Sequence, residues 1–210
     1  MEMNGIMNVL YRFCQWVTRL VYLNLLWGAF IILGLGVFGF FPATTAMFAV
    51  IRKWIMGDTD NPVMKTFWTF YKKEFMKSNL LGMILCLTGY MLYMDYYFLQ
   101  EASGLIKLLT YPLILVILLF LFMLLYVIPI SVHYEITTWK VLKTSLLFVI
   151  MHPFVTIAMA ASCYIIYLIM KLIPGLIPLL GGSIITYILM APTYYVFRKN
   201  QQKQETAYSK

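Results

Sequence analysis

The chain has 210 residues, 62% of them hydrophobic and only 11% charged, with a net charge of +8 and a mean hydropathy of +0.83. A soluble domain is about half apolar and about one quarter charged, so this composition excludes one and makes lipid the solvent. The positive balance does not indicate nucleic acid: no basic recognition helix, zinc-finger spacing or RNA-binding motif occurs, and the cations border apolar stretches, where anionic headgroups supply the counter-charge.

Ahead of the first apolar stretch, Asn8, Arg12, Gln15 and Arg19 recur on one helical stripe, which predicts an amphipathic helix lying at the interface or packed on the bundle. A hydrocarbon core of roughly 30 Å needs about 20 apolar helical residues. Five stretches satisfy this, at 20–41, 79–99, 111–131, 145–170 and 177–197. The expected fold is therefore an all-α integral membrane protein, one transmembrane domain in which these five spans form a bundle. Val21–Phe41 exceeds the roughly 7–15 residue core of a signal peptide, so no cleaved leader is expected. Gly39 and Pro42 are expected to end the first span. Thr44 and Thr45 would then cap the freed amides of a short helix carrying Arg52, Lys53 and Trp54.

Residues 52–77 hold six of the sixteen Lys and Arg residues and form a basic cytoplasmic loop. Within it Asp60 is placed to cap, Pro62 suits a first helical position, and Met64, Phe67, Tyr71 and Phe75 keep helical spacing, predicting a helix that runs on into the second span. Its aromatics alternate with Lys65, Lys72, Lys73 and Lys77, a pattern that suits anionic headgroups or a docking partner. The fourth and fifth spans contain His152-Pro153 and Pro192, where kinks are expected.

Five crossings with the amino terminus outside place twelve of the sixteen Lys and Arg residues in the cytoplasm and leave Arg12, Arg19, Lys107 and Lys171 outside. That orientation predicts a bacterial cytoplasmic membrane protein with its carboxyl terminus inside. An alternative folds the first stretch at Gly34, Gly36, Gly39 and Pro42 into a hairpin with the amino terminus inside, its arms each about 15 residues and short for a bilayer.

Convergent catalytic groups are not evident. His133 and Glu135 are two residues apart and point in different directions on a helix, and His152 beside Pro153 is expected to bond at a kink. Cys14, Cys86 and Cys163 stand apart, with no metal-ligand spacing, and no cofactor is expected. Asp95 sits near the outer interface among Tyr90, Tyr93, Tyr96 and Tyr97, which reads first as an aromatic belt. The sharper expectation pairs Asp95 with Arg19 or Arg12 to lock an outer vestibule. Ser78 with Gly82, Gly82 with Gly89, and Ala158 with Ala161 and Ser162 share helix faces that allow close backbone approach.

Two segments, Gly39-Phe40-Phe41-Pro42-Ala43-Thr44-Thr45-Ala46 and Phe67 through Lys73 leading to Phe75-Met76-Lys77-Ser78-Asn79, together with overall length, make the chain resemble the YesL-type family of bacterial membrane proteins, a domain of unknown function. The resemblance covers nearly the whole chain and implies an integral membrane protein of Gram-positive bacteria, often encoded beside carbohydrate ABC importers. The expected function is then a non-enzymatic accessory subunit that binds importer permease subunits. Its inner hinge and docking surface would comprise Gly39, Pro42, Thr44, Thr45, Arg52, Lys53, Trp54, Phe67, Phe75, Lys77, Ser78 and Asn79. No Glu-Ala-Ala loop marks the chain as a permease itself. A stand-alone transporter or channel, or a membrane sensor of sugar uptake, is the alternative.

Overall fold

The computed structural model describes residues 5–59, 61–134 and 136–208. Asp60, Glu135 and Lys210 lie outside them, so the cap at Asp60 and the role of Glu135 are not addressed. Among the described residues the chain forms seven α-helices and one short 3-10 helix: α1 Gly5–Leu33, α2 Val37–Ile55, α3 Val63–Glu101, the 3-10 turn Gly104–Leu109, α4 Thr110–His133, α5 Thr138–Met151, α6 Pro153–Leu172 and α7 Leu176–Tyr208. Five segments are long and apolar enough to cross a bilayer: Met7–Leu33, Val63–Glu101, Ile106–His133, Pro153–Leu172 and Leu176–Lys199. The protein is a multi-pass, all-α membrane bundle.

The first expected span is not one helix. α1 ends at Leu33, where the amide of Gly36 bonds the carbonyl of Ile31 at 2.8 Å and the amide of Leu35 bonds that of Ile32 at 3.1 Å. This is a Schellman stop, with Leu35 in the left-handed region at φ 58°. A non-glycine residue there costs roughly 1–2 kcal/mol, which the surrounding contacts must offset. The chain then reverses, and α2 returns along α1: Trp27 donates to Thr44 at 3.1 Å, and the rings of Trp16 and Trp54 meet edge to face at 5.9 Å. Gly39 and Pro42 therefore do not end a span. Both lie inside α2, and Gly39 marks the closest approach of the two legs, because a Cβ on Gly34 would collide with the Gly39 Cα and one on Gly39 would press on the Ile31 carbonyl.

Thr44 and Thr45 do not cap amides. Their hydroxyls donate to the carbonyls of Phe40 and Phe41 at 2.6 and 2.9 Å, the bonding available to a threonine inside a helix. α2 is the heart of the bundle, with Ala43, Thr45, Ala46, Met47, Phe48, Ala49, Val50 and Ile51 all buried.

α3 is one continuous helix of 39 residues, as the run from Pro62 into the second span predicts. At 1.5 Å per residue it is about 58 Å long, well beyond a hydrocarbon core, so its cationic amino-terminal part extends past the apolar stretch. It crosses α2 where Ser78 donates to Thr45 at 3.1 Å and Phe41 covers Gly82, whose hydrogen leaves room for the ring. The fourth expected span is divided. Chain geometry at His152 (φ −128°, ψ 58°) separates α5 from α6, and Pro153 starts α6, where its missing amide loses nothing. The hydrogen bond at this break comes from the His152 backbone carbonyl, which accepts from Thr156 at 3.0 Å; the ring Nε2 has no partner among the described residues. α7 continues through Pro192 without interruption.

Candidate functional site

The most polar junction inside the bundle joins α1 to α7. Asn24 is buried, at 3% exposure, and its side-chain amide donates to the Pro178 carbonyl at 2.7 Å while its carbonyl accepts from the amides of Gly182 and Ser183 at 2.9 and 3.1 Å. Pro178 and Gly182 are the i and i+4 members of a helical pair, so the Asn24 carboxamide engages both ends of one rung of α7. Gly182 makes this possible, because a Cβ there would meet Asn24 Oδ1 at 2.9 Å. In an apolar interior such bonds hold two helices at a fixed register.

Beside this junction lies a partly open recess of about 410 Å³ bounded by α1, α2, α4, α6 and α7, with Phe40 and Ile177 exposed at its rim. Its polar atoms are already engaged. Thr44 accepts from Trp27 and donates to the Phe40 carbonyl, and Thr186 donates to the Gly182 carbonyl at 2.8 Å with the Met47 sulfur 3.1 Å from its oxygen. The remaining wall is apolar, including Phe48, Leu124, Ile128 and Met170. A sugar would meet few free hydrogen-bonding groups there, whereas an apolar group or a shifting helix would be accommodated.

The residues expected at the inner hinge divide by burial. Gly39, Pro42, Thr45, Trp54, Phe67 and Ser78 are buried contacts that build the bundle and do not face a partner. Arg52 reaches the carboxyl-terminal end of α4, where its guanidinium donates to the Val132 carbonyl at 3.0 Å. The adjoining His133 ring stacks on Phe197 of α7 at 4.2 Å, so the ends of α2, α4 and α7 meet. Tyr134, just beyond α4, packs on Phe197 at 5.1 Å, and burial pushes its phenol above its ordinary pKa. Lys53 pairs with Asp58 at 3.7 Å, Lys77 with Glu74 at 3.6 Å, and Asn79 donates to the Phe75 carbonyl at 3.0 Å.

The apolar side of the basic helix is occupied internally. Phe67, Trp68 and Tyr71 close around Phe30 near the α1–α2 turn, with ring separations of 5.0, 5.5 and 5.0 Å, and Phe75 packs on Tyr71 at 5.6 Å. Lys72 lies over the Trp68 ring at 4.3 Å.

The outer residues do not assemble as expected. Asp95 borders a shallow depression with Leu109, Pro112 and Leu113 at the amino-terminal end of α4, whereas Arg12 and Arg19 flank Trp16, which lies on Trp54 and Tyr187. The Asp95–Arg19 vestibule is therefore not formed, and Tyr90, Tyr93 and Tyr97 stay exposed as a belt on α3. Asn24, Gly182 and Thr186 were not among the expected site residues. The available signal was Asn24 itself, the one carboxamide within 20–41, facing the Gly181-Gly182 pair of the last span.

The family described as "Protein of unknown function, DUF624" matches residues 20–96, which contain the second half of α1, all of α2 and most of α3. Three Bacillus subtilis (strain 168) proteins align over nearly their full lengths. "Uncharacterized protein YteU" is 41% identical over 96% of this chain and 91% of the relative, and "Uncharacterized protein YesL" is 35% identical over 96% of both. "Uncharacterized protein YesV" is 36% identical over 95% of this chain and 97% of the relative. No solved structure matches. With that identity sustained from the hairpin to α7, the chain belongs to the YesL-type, DUF624 family of membrane proteins.

Proposed function

We propose that this protein is a non-enzymatic accessory subunit of a carbohydrate ABC importer, associating with permease subunits inside the membrane. The supporting observation is the outward face of α6. Ala158 and Ala161 are exposed there beside Ile157, Tyr164 and Ile165, at 60%, 62% and 56% exposure, so a strip of small side chains with apolar flanks faces away from the bundle. Small residues let a second helix approach closely in lipid, where apolar surface alone gives no drive to associate. The importer assignment rests on the family's association with such systems. The recess beside Asn24 offers a stand-alone transporter few polar groups, since its hydroxyls are engaged in internal bonds.

In this reading the cation-bearing end of the bundle is cytoplasmic. Trp16 lies on Trp54, next to Arg52 and Lys53, so the amino-terminal half of α1 belongs to the same end as the carboxyl-terminal end of α2. Both termini then face the cytoplasm, with Arg12, Arg19, Arg52, Lys53, Arg198 and Lys199 toward that side and Lys107 and Lys171 at the outer connections, an asymmetry of the expected sign. The function is tested by quantitative pulldown of the tagged chain from native membranes. Permease subunits should copurify, and Ala158→Trp with Ala161→Trp should lower their recovery at least several-fold while expression is kept. A pulldown that recovers no transporter component removes the reading.

A further inference from the structure

A second apolar recess, of about 500 Å³, lies between α3, α4 and α5, apart from the recess beside Asn24. Its volume falls within the roughly 300–1,000 Å³ of ligand pockets. Leu85 and Phe120 form its floor, Leu92 and Val116 continue it along the helices, and Trp139, Lys143 and Leu146 of α5 form its side. It opens outward, since Val116, Leu146 and Trp139 are 48%, 39% and 75% exposed. Thr88 makes no polar demand on an occupant, because its hydroxyl already donates to the Ile84 carbonyl at 2.9 Å. Lys143 is the one charged side chain among the described lining residues, and no described carboxylate pairs with it.

An apolar trough with a cation and a tryptophan along one side matches an amphiphile that carries a negative head. We propose that this recess is a binding site for an anionic phospholipid, with part of an acyl chain against Leu85 and Phe120 and the phosphate at the Lys143 ammonium. Four residues separate α5 from the end of α4, where Arg52 docks, so the start of α5 lies near the cation-bearing end, and the flexible stem of Lys143 lets its ammonium reach toward headgroup level. Trp139 suits the same boundary, its ring apolar and its N–H free to meet a polar headgroup. A helix from a partner chain is the less suitable occupant, because neutralising Lys143 would require it to carry a carboxylate at the membrane.

The test is native mass spectrometry of the full chain released from vesicles of equimolar phosphatidylglycerol and phosphatidylcholine. The wild type should retain phosphatidylglycerol in preference to phosphatidylcholine. Lys143→Ala should lower phosphatidylglycerol retention about five-fold, equivalent to about 1 kcal/mol for one cation at an anionic surface, and Lys143→Arg should preserve it. Leu146→Trp, which narrows the recess from its exposed edge, should lower retention of both lipids. Equal retention of the two lipids by the wild type, an unchanged profile in Lys143→Ala, or a lipid-free dimer overturns the proposal.

Discussion

A carboxamide within a lipid-solvated bundle is stable only where fixed partners meet its hydrogen bonds, and Asn24 meets three of its four possible bonds on α7. Replacing it with leucine leaves the Pro178 carbonyl and the Gly182 and Ser183 amides to re-pair within α7 or remain unmet. Asn24→Leu is therefore expected to destabilise the protein by about 1–3 kcal/mol, the penalty for an unsatisfied buried group. Thr18→Ala, which removes only a local bond to the Cys14 carbonyl on an exposed surface, should stay within about 0.5 kcal/mol. Thermal unfolding in one detergent measures both. At this scale the sequence was partly legible. Ser78 and Gly82 were recognisable as small residues suited to a close crossing, whereas Thr45 read as a cap, and a one-dimensional pattern does not say that Gly182 is the glycine opposite Asn24, 158 residues away. Asp95 fails for the same reason: its partners depend on which helix lies beside the carboxyl-terminal part of α3, and there it is α4, not α1.

Helix length and apolar run located α3 and α4 well, because both are continuous and bounded by polar or proline-containing connections. The α1–α2 hairpin was harder to read. Its turn, Gly34-Leu35-Gly36, is flanked by Ile32, Leu33, Val37 and Phe38, all exposed, so hydropathy runs through the reversal unchanged. The glycines were the only local sign, and the reversal is fixed by the backbone contact of Gly34 with Gly39, which is tertiary. The hairpin makes a sharp prediction at this scale. With Cys14, Cys86 and Cys163 replaced by alanine, Trp16→Cys with Trp54→Cys should cross-link through a short bifunctional reagent in native membranes. Pairing Trp16→Cys with a cysteine at Lys107 should give no product. A continuous span over 20–41 would hold residues 16 and 54 on opposite faces, giving no cross-link between them, and would put residue 16 on the same face as Lys107.

At the scale of the whole molecule, the fold joins a buried helix, α2, to five helices able to cross the bilayer, and gathers the ends of α2, α4 and α7 around Arg52 and His133. Composition made the membrane class plain, since 62% apolar residues admit no soluble core of this size. Sidedness was less legible, because counting cations depends on how many times the chain crosses, and that number changes when one span becomes a hairpin. The proposed docking face on α6 and the lipid recess beside α5 both acquire their orientation from this arrangement. The measurement that bears on it most directly is labelling of single cysteines in intact cells by a membrane-impermeant maleimide. A cysteine at Lys107 should react from outside, while cysteines at Met7 and Asp58 should react only after the membrane is opened. Labelling of Met7→Cys from the exterior, with Asp58→Cys protected, would contradict it.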